Sequence, residues 1–520
     1  MEKYIKTLPL SLFAAGVLLS SCDSDVAVSQ KPETARDSFD GIVIFNEDND
    51  RFFIYNQEMS EEALDSHIDN IAGGNITHYF MCPNGQRTSY DSKVHEPIWA
   101  PIDGKEPAEK WAVNCKLLRD RNIDPYSVWI RACRKRGISP WISMRMNDVH
   151  FATTPNCFRN QKFWRERPDL WRVPQKTLPT KGDWNDYAFN YKHKEVRDFQ
   201  LALVKELFER YDFDGFELDW MRFGKHLTPG KETAEACYIT EFIREVKKIS
   251  DAYASRRGHK IGISARVHVT PEIALKNGLD CAEWAREKLV DIIVPSCMYI
   301  SGDFDISVSD WRKYLGADAK HVAVIPSTDN GFTPSFKVKR RPITLALLYG
   351  WATAMRSNGA DSLYVFNAFY QRKIVEEVRQ HGLSESVARD GGRRHPVTYH
   401  HPDTVQLPVL LDKARDIKIV FGEIPSIPAR GELSAVVAFA DKDINPDGVS
   451  VKLNGHSSLS RSEVGNPKDF GNAARAVRFF FDYNALVGGR ETLRVESLWG
   501  KPYNLIWCEL DTTPAQPPRP

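Results

Sequence analysis

Apolar residues follow two alternating rhythms along the first two thirds of the chain. Short dense runs, at Gly41–Phe45, Thr77–Cys82, Ser139–Met144, Phe213–Asp219, Lys260–Arg266, Asp291–Pro295, His321–Ile325 and Ser362–Phe366, read as strands. Longer stretches between them carry an apolar stripe at helical spacing: Ser60–Ile71, Pro125–Arg136, His193–Tyr211, Glu241–Ser255, Ala282–Leu289, Asp310–Leu315 and Leu345–Met355. The clearest is His193–Tyr211, where Val196, Leu201, Val204, Leu207 and Phe208 share one face. Eight strands alternating with helices over residues 39–385 predict an α/β fold, a (β/α)8 TIM barrel. An open doubly wound sheet is the rival, but no glycine-rich phosphate fingerprint follows any of these strands.

The texture changes near residue 385. Gly391-Gly392-Arg393-Arg394-His395-Pro396 reads as a hinge inside a linker over 386–404. Short alternating runs follow at Ile417–Phe421, Leu433–Phe439, Val449–Leu453, Ala476–Phe481, Thr492–Glu496 and Asn504–Glu509. Asn454-Gly455 and Gly488-Gly489 supply turns between them, so residues 405–513 predict a small β-sandwich. The proline-rich stretch 514–520 is expected to be disordered.

The first residues point to export. Lys3 and Lys6 precede an apolar run from Leu8 to Leu19, too short to span a bilayer and ending in Ser20-Ser21-Cys22. Leu19-Ser20-Ser21-Cys22 resembles a bacterial lipobox. That resemblance implies a lipoprotein signal peptide over 1–21, acylation of Cys22, and a polar tether over 22–38. The expected location is an exported lipoprotein held to a membrane at Cys22, facing the cell surface or the periplasm. An ordinary signal peptide with a chance cysteine is the alternative.

Composition narrows the classes. Of 520 residues, 42% are hydrophobic and 27% charged, as in a water-soluble globular protein. A net charge of +1 gives no electrostatic case for nucleic acid. Thirteen tryptophans fit stacking platforms for a ligand, or simply packing. The nine cysteines show no Cys-x-x-Cys pair or metal spacing, and no cofactor is indicated. Asn46-Glu47-Asp48-Asn49-Asp50 has oxygen ligands for calcium but lacks the loop glycine and spacing.

The richest chemistry lies in Tyr211-Asp212-Phe213-Asp214-Gly215-Phe216-Glu217-Leu218-Asp219-Trp220-Met221-Arg222-Phe223. Strand geometry points Glu217 and Asp219 to one face and Phe216 and Leu218 to the other. Two acids on one face of a buried strand are costly unless they are paired or used. In a barrel, function gathers where strands exit. Those exits supply Glu47, Arg145, Asn147, Asp148, His150, Trp220, Arg222, Arg266, Tyr299, Asp329 and Asn367, a lining suited to a hydroxyl-rich ligand.

This stretch, with Glu195-Val196-Arg197 before it, resembles bacterial glycosyl-hydrolase-like barrels related to family 10. Their fourth strand has the form Asp-Gly-x-x-Leu-Asp-aromatic-x-Arg, and Asn367 after Tyr364-Val365-Phe366 is similar to their eighth-strand exit. The resemblance implies a polysaccharide-active lipoprotein with an acid at Asp219. Glycoside hydrolysis needs two carboxyls flanking one bond, roughly 5–5.5 Å apart for retention and about 6.5–9.5 Å for inversion. Glu217 and Asp219 stand along one wall, their Cα atoms about 6.6 Å apart. Asp219 is therefore the expected nucleophile or base, with Asp148 first and Asp329 second as proton donor. Glu217, if its pKa is raised, is a third candidate; otherwise it forms an interior ion pair with Arg145 or Arg266. The expected activity is a glycoside hydrolase acting on a polysaccharide or complex glycan. A non-catalytic glycan-binding lipoprotein on a degenerate barrel, or a carbohydrate lyase using His150 or Tyr299 as base, are the alternatives.

Overall fold

A computed structural model describes residues 43–56, 58–73, 76–177, 184–297, 301–317, 319–334, 340–367, 372–383, 392–399, 405–424 and 432–513. The expected signal peptide, tether, Cys22, Tyr299 and proline-rich tail lie outside these residues.

One parallel sheet organises the larger part. Its strands are β1 (Val43–Glu47), β2 (Ile76–Met81), β3 (Ser139–Arg145), β4 (Gly215–Asp219), β5 (Gly262–His268), β6 (Ile292–Ser296), β7 (Ala323–Val324) and β8 (Ser327–Thr328). A short antiparallel pair, β9 (Gly331–Phe332) and β10 (Arg341–Pro342), precedes β11 (Leu363–Phe366). The sheet runs in the order β7-β6-β5-β4-β3-β2-β1-β11-β8, with helices in most of the connections. Its two ends are consecutive pieces of one segment. Ala323–Val324 pairs with β6, and Ser327–Thr328 pairs with β11. Between them, Ile325 N–H still donates to Ile293 O at 3.0 Å, and Pro326 O accepts from Tyr364 N–H at 3.1 Å. The single run expected at His321–Ile325 is thus longer and split, because Pro326 has no N–H to continue a ladder.

Alternation along these strands makes two apolar sets. Ile44, Phe80, Trp141, Ile292, Val294, Ala323, Ile325, Tyr364 and Phe366 pack together on the concave face. The other face packs against the helices. Trp141 stacks on Phe80 with ring centroids 4.7 Å apart. A β-carbon on Gly215 or Gly262 would come within 2.3 or 2.6 Å of the Trp141 ring, so both positions require glycine. The helices follow their end signals. Asp124 accepts from the N–H groups of Tyr126 and Ser127 to start Pro125–Lys135, and Gly258, at φ 74°, ends Ala236–Arg257.

The C-terminal part is sheet-rich. A six-stranded antiparallel sheet contains Arg394–Pro396, Asn504–Asp511, Leu433–Phe439, Arg475–Phe481, Ser460–Glu463 and Val409–Leu410. A four-stranded one contains Arg415–Gly422, Gly489–Ser497, Val449–Leu453 and His456–Ser457. Ile417, Ile419 and Leu493 of the smaller sheet share an apolar cluster with Ala435, Val437 and Leu510 of the larger. Arg394–Pro396, expected inside a linker, is instead a strand paired with Glu509–Asp511. Arg394 O lies 2.1 Å from where a β-carbon on Gly350 would sit, so this strand is seated directly on helix Leu345–Ser357.

Candidate active site

The site grows from the register of β3, β4 and β5. Ser143 and Ser264 stand opposite Glu217 on either side, and Arg145 and Arg266 stand opposite Asp219. Glu217 is fully buried. Its Oε1 accepts from Ser143 Oγ at 2.7 Å, Tyr364 OH at 2.8 Å and Asn46 Nδ2 at 3.2 Å, and its Oε2 from Ser264 Oγ at 3.2 Å. Burial, reinforced by the neighbouring Asp219, pushes its pKa up to about 7, although Ser143, Arg266 and Tyr364 pull the other way. The interior ion pair expected for Glu217 does not form; hydroxyls and an amide take its oxygens instead.

Asp219 receives the arginine. Both its oxygens lie 3.2 Å from Arg266 Nη1, while Oδ1 also accepts from the N–H groups of Met221 and Arg222 at 2.9 and 3.1 Å. Arg266 is held in turn by Ser296 Oγ at 3.1 Å and lies over the Phe366 ring at 4.0 Å.

Arg145 turns away from Asp219 and bridges two other carboxylates, with Nη2 2.6 Å from Asp48 and Nη1 2.6 Å from Asp148. Asp48 also meets Arg222 at 3.2 Å and Asn367 Nδ2 at 2.8 Å. Asn367 adopts φ 53° and accepts from the Asp48 N–H at 3.0 Å. Asp148 accepts from His150 through both the ring Nδ1, at 2.7 Å, and the backbone N–H, at 2.9 Å. Burial opposes charge on both acids. Arg145 and Arg222 overcome it at Asp48, and His150 and Arg145 at Asp148, so both carboxyls sit well below their ordinary range. That electrostatics disfavours Asp148 as the proton donor expected from the sequence. Asp329, after β8, is buried too, and there burial prevails. Its pKa rises to about 6 despite the Asn330 N–H, Arg266 and Arg222.

Other expected site residues lie elsewhere. Glu47 is on the opposite face of β1, bound to Tyr79 OH at 2.7 Å and His67 Nε2 at 2.9 Å, and lines a separate cleft. Asn147 holds the chain at Phe189, accepting from its N–H at 2.9 Å and donating to its carbonyl at 3.1 Å. Trp220 is buried among Tyr191, His226 and Phe242, so it is packing and not a platform. Trp164 and Trp171, between β3 and β4, stack on each other, buried, with centroids 4.8 Å apart. Ser143, Ser264 and Tyr364 are not among the residues expected from the sequence; parity with Glu217 in their strands finds them once register is known. Among the described residues no cluster of His, Cys, Asp or Glu is arranged to hold a metal, and the eight cysteines are free thiols. The pentad Asn46–Asp50 forms no cage: Asn46 faces Glu217, while Asn49 holds Tyr79 OH and the Cys82 N–H.

No protein-family model matches the chain, and no curated protein matches it in sequence. Several solved structures are similar in shape at low identity. An endo-β-1,4-mannanase from Thermotoga petrophila is 12% identical with a TM-score of 0.42, covering 92% of this chain and 98% of its own. The PgaB glycoside hydrolase domain from Bordetella bronchiseptica is 10% identical with a TM-score of 0.41, covering 66% of this chain and 99% of its own. A Paenibacillus cycloisomaltooligosaccharide glucanotransferase is 12% identical with a TM-score of 0.36. This chain spans 58% of that enzyme's length, and 92% of this chain is covered.

Proposed function

We propose that the chain is a glycoside hydrolase whose parallel sheet is a closed (β/α)8 barrel, followed by a β-sandwich, and exported as a lipoprotein anchored at Cys22. Barrel closure is supported by the segment 323–328, which pairs with β6 through one half and β11 through the other. The observation that carries the activity is the sorting of carboxyls at the strand ends. Asp219 is paired with Arg266, while Glu217 and Asp329, both buried without a direct ion pair at 4 Å or less among the described residues, have pKa values raised to about 7 and about 6. A carboxylate held by an arginine, together with buried carboxyls whose pKa values are raised, is what acid–base cleavage of an acetal needs.

In this reading Asp329 gives its proton to the leaving glycosidic oxygen. Asp219 attacks the anomeric carbon, or takes a proton from the attacking water. Glu217, protonated below Asp219, limits the negative charge there. Arg145, Arg222, His150, Asp48 and Asn367 orient hydroxyls at the mouth. The substrate is a polysaccharide or complex glycan, met outside the cytoplasm.

One observation favours the alternative, a glycan-binding protein without catalysis: Asp219 Oδ1 is already taken by two N–H groups and Arg266, as in a turn stabiliser. The lyase reading keeps His150 as its base, with Nδ1 held by Asp148 and Nε2 the basic nitrogen. Incubating the protein with a panel of glycans separates the three. New reducing ends support hydrolysis, and an ultraviolet-absorbing unsaturated end supports a lyase. Retention of the glycan with neither product supports binding alone.

A further inference from the structure

The loop leaving β3 carries a side chain that the reaction above does not use. Phe151 follows His150, the residue bound to Asp148. It is 51% exposed, and its backbone lies in the left-handed region at φ 60°. A β-carbon makes that conformation costly, and it persists only where the surroundings enforce it.

The surroundings do enforce it. Fully buried Asn160 donates from Nδ2 to the carbonyls of Phe151, Thr154 and Pro155 at 3.2, 3.0 and 3.2 Å. Successive turns close with Ala152 N–H on Val149 O and Thr154 N–H on Phe151 O. Gln86 ties the loop to the site, donating to the Asp148 carbonyl at 2.8 Å and accepting from the Gln161 N–H at 2.9 Å. The Arg159 guanidinium lies 5.3 Å from the Phe151 ring centroid and 4.9 Å from that of Trp111. Arg159 also acts electrostatically on Asp50, beyond β1, whose buried Oδ1 has no hydrogen-bond partner among the described residues. A phenyl ring left on a surface by chance needs neither a strained backbone nor a buried clamp. A ring held rigid in solvent beside a polar site is already organised for contact.

We propose that Phe151 is the platform of a sugar subsite at the mouth of the strand-end site, stacking on the apolar face of a pyranose ring. Arg159 is the polar group at its side that meets the ring's hydroxyls. The proposal rests on the glycan reading of the site but not on hydrolysis.

The test is electrophoresis of the full chain through gels containing soluble glucan, mannan, xylan or galactan, with KM measured on any glycan that is cut. Covering about 60 Å² of ring at ~25 cal/mol per Å² is worth about tenfold in affinity. Phe151→Ala should therefore weaken retardation and raise KM by about tenfold, with kcat little changed. Phe151→Gly should lose the same affinity without lowering Tm, because glycine adopts φ 60° freely. Phe151→Trp should keep the affinity. The platform is overturned if Phe151→Ala is retarded like the wild type, or if none of the four glycans retards the wild type. Retardation without cleavage would sink the hydrolase reading and leave the platform standing; cleavage with an unchanged KM in Phe151→Ala would do the reverse.

Discussion

Replacing Glu217 by glutamine removes a proton switch from the middle of the fold, and the size of the effect follows from the site. The carboxyl is fully buried, and burial together with Asp219 raises its pKa from 4.5 to about 7. Between those values the folded chain holds a proton that the unfolded chain has released. Stability therefore falls as pH rises through that window. A shift of roughly 2.5 pH units at about 1.36 kcal/mol per unit makes Glu217 withdraw about 3 kcal/mol between pH 4.5 and pH 7.5. Glutamine keeps the shape and a carbonyl oxygen able to accept from Ser143 and Tyr364, but it has nothing to ionise. Thermal unfolding of both proteins from pH 4.5 to pH 8 measures the difference. Tm of Glu217→Gln minus Tm of the wild type should increase with pH, by roughly 3–5 °C across the window. A difference that stays flat, or shrinks toward high pH, would refute the buried, proton-holding carboxyl.

The other perturbations test neighbouring parts. If Asp329 is the proton donor, wild-type kcat should decline as pH rises through about 6. Asp329→Asn should lose that limb and about 10²–10⁴ in rate, seen in a pH–rate profile. Arg145→Met leaves Asp48 and Asp148 buried without their shared guanidinium. It should cost about 3–5 kcal/mol in urea unfolding at pH 7, with the deficit narrowing as acid neutralises the carboxylates. Gly215→Ala brings a methyl within 2.3 Å of the Trp141 ring and should destabilise by about 1–3 kcal/mol, with much of the loss recovered when Trp141→Leu is added.

What the sequence could reveal of this site followed from period, and what it hid depended on register. The two-residue repeat alone put Glu217 and Asp219 on one face of β4. The same rule, applied to β1 with Ile44 facing in, would have put Asn46 and Asp48 inward and Glu47 outward, as observed. Arg145 and Arg266 are equidistant from Asp219 by register. Only the third dimension shows that Arg145 is drawn to Asp48 and Asp148 while Arg266 keeps Asp219. Trp220 is among the strand-exit residues, but one residue along a strand end reverses the face and puts it among Tyr191 and Phe242. Asn147 and Phe189 meet although they are 42 positions apart in sequence, a contact no local pattern encodes. The run His321–Ile325 stops short of Pro326, and only the different neighbours of Ala323–Val324 and Ser327–Thr328 show that pairing resumes beyond it.

The central claim is that Asp219 takes part in bond cleavage, and it is tested most directly by Asp219→Asn. Initial rates of reducing-end release and glycan affinity should be measured side by side on whichever glycan the wild type cuts. The hydrolase reading predicts a fall in rate of about 10³ or more with affinity nearly unchanged, since the amide keeps the shape but loses the nucleophilic or basic oxygen. An unchanged rate would contradict it.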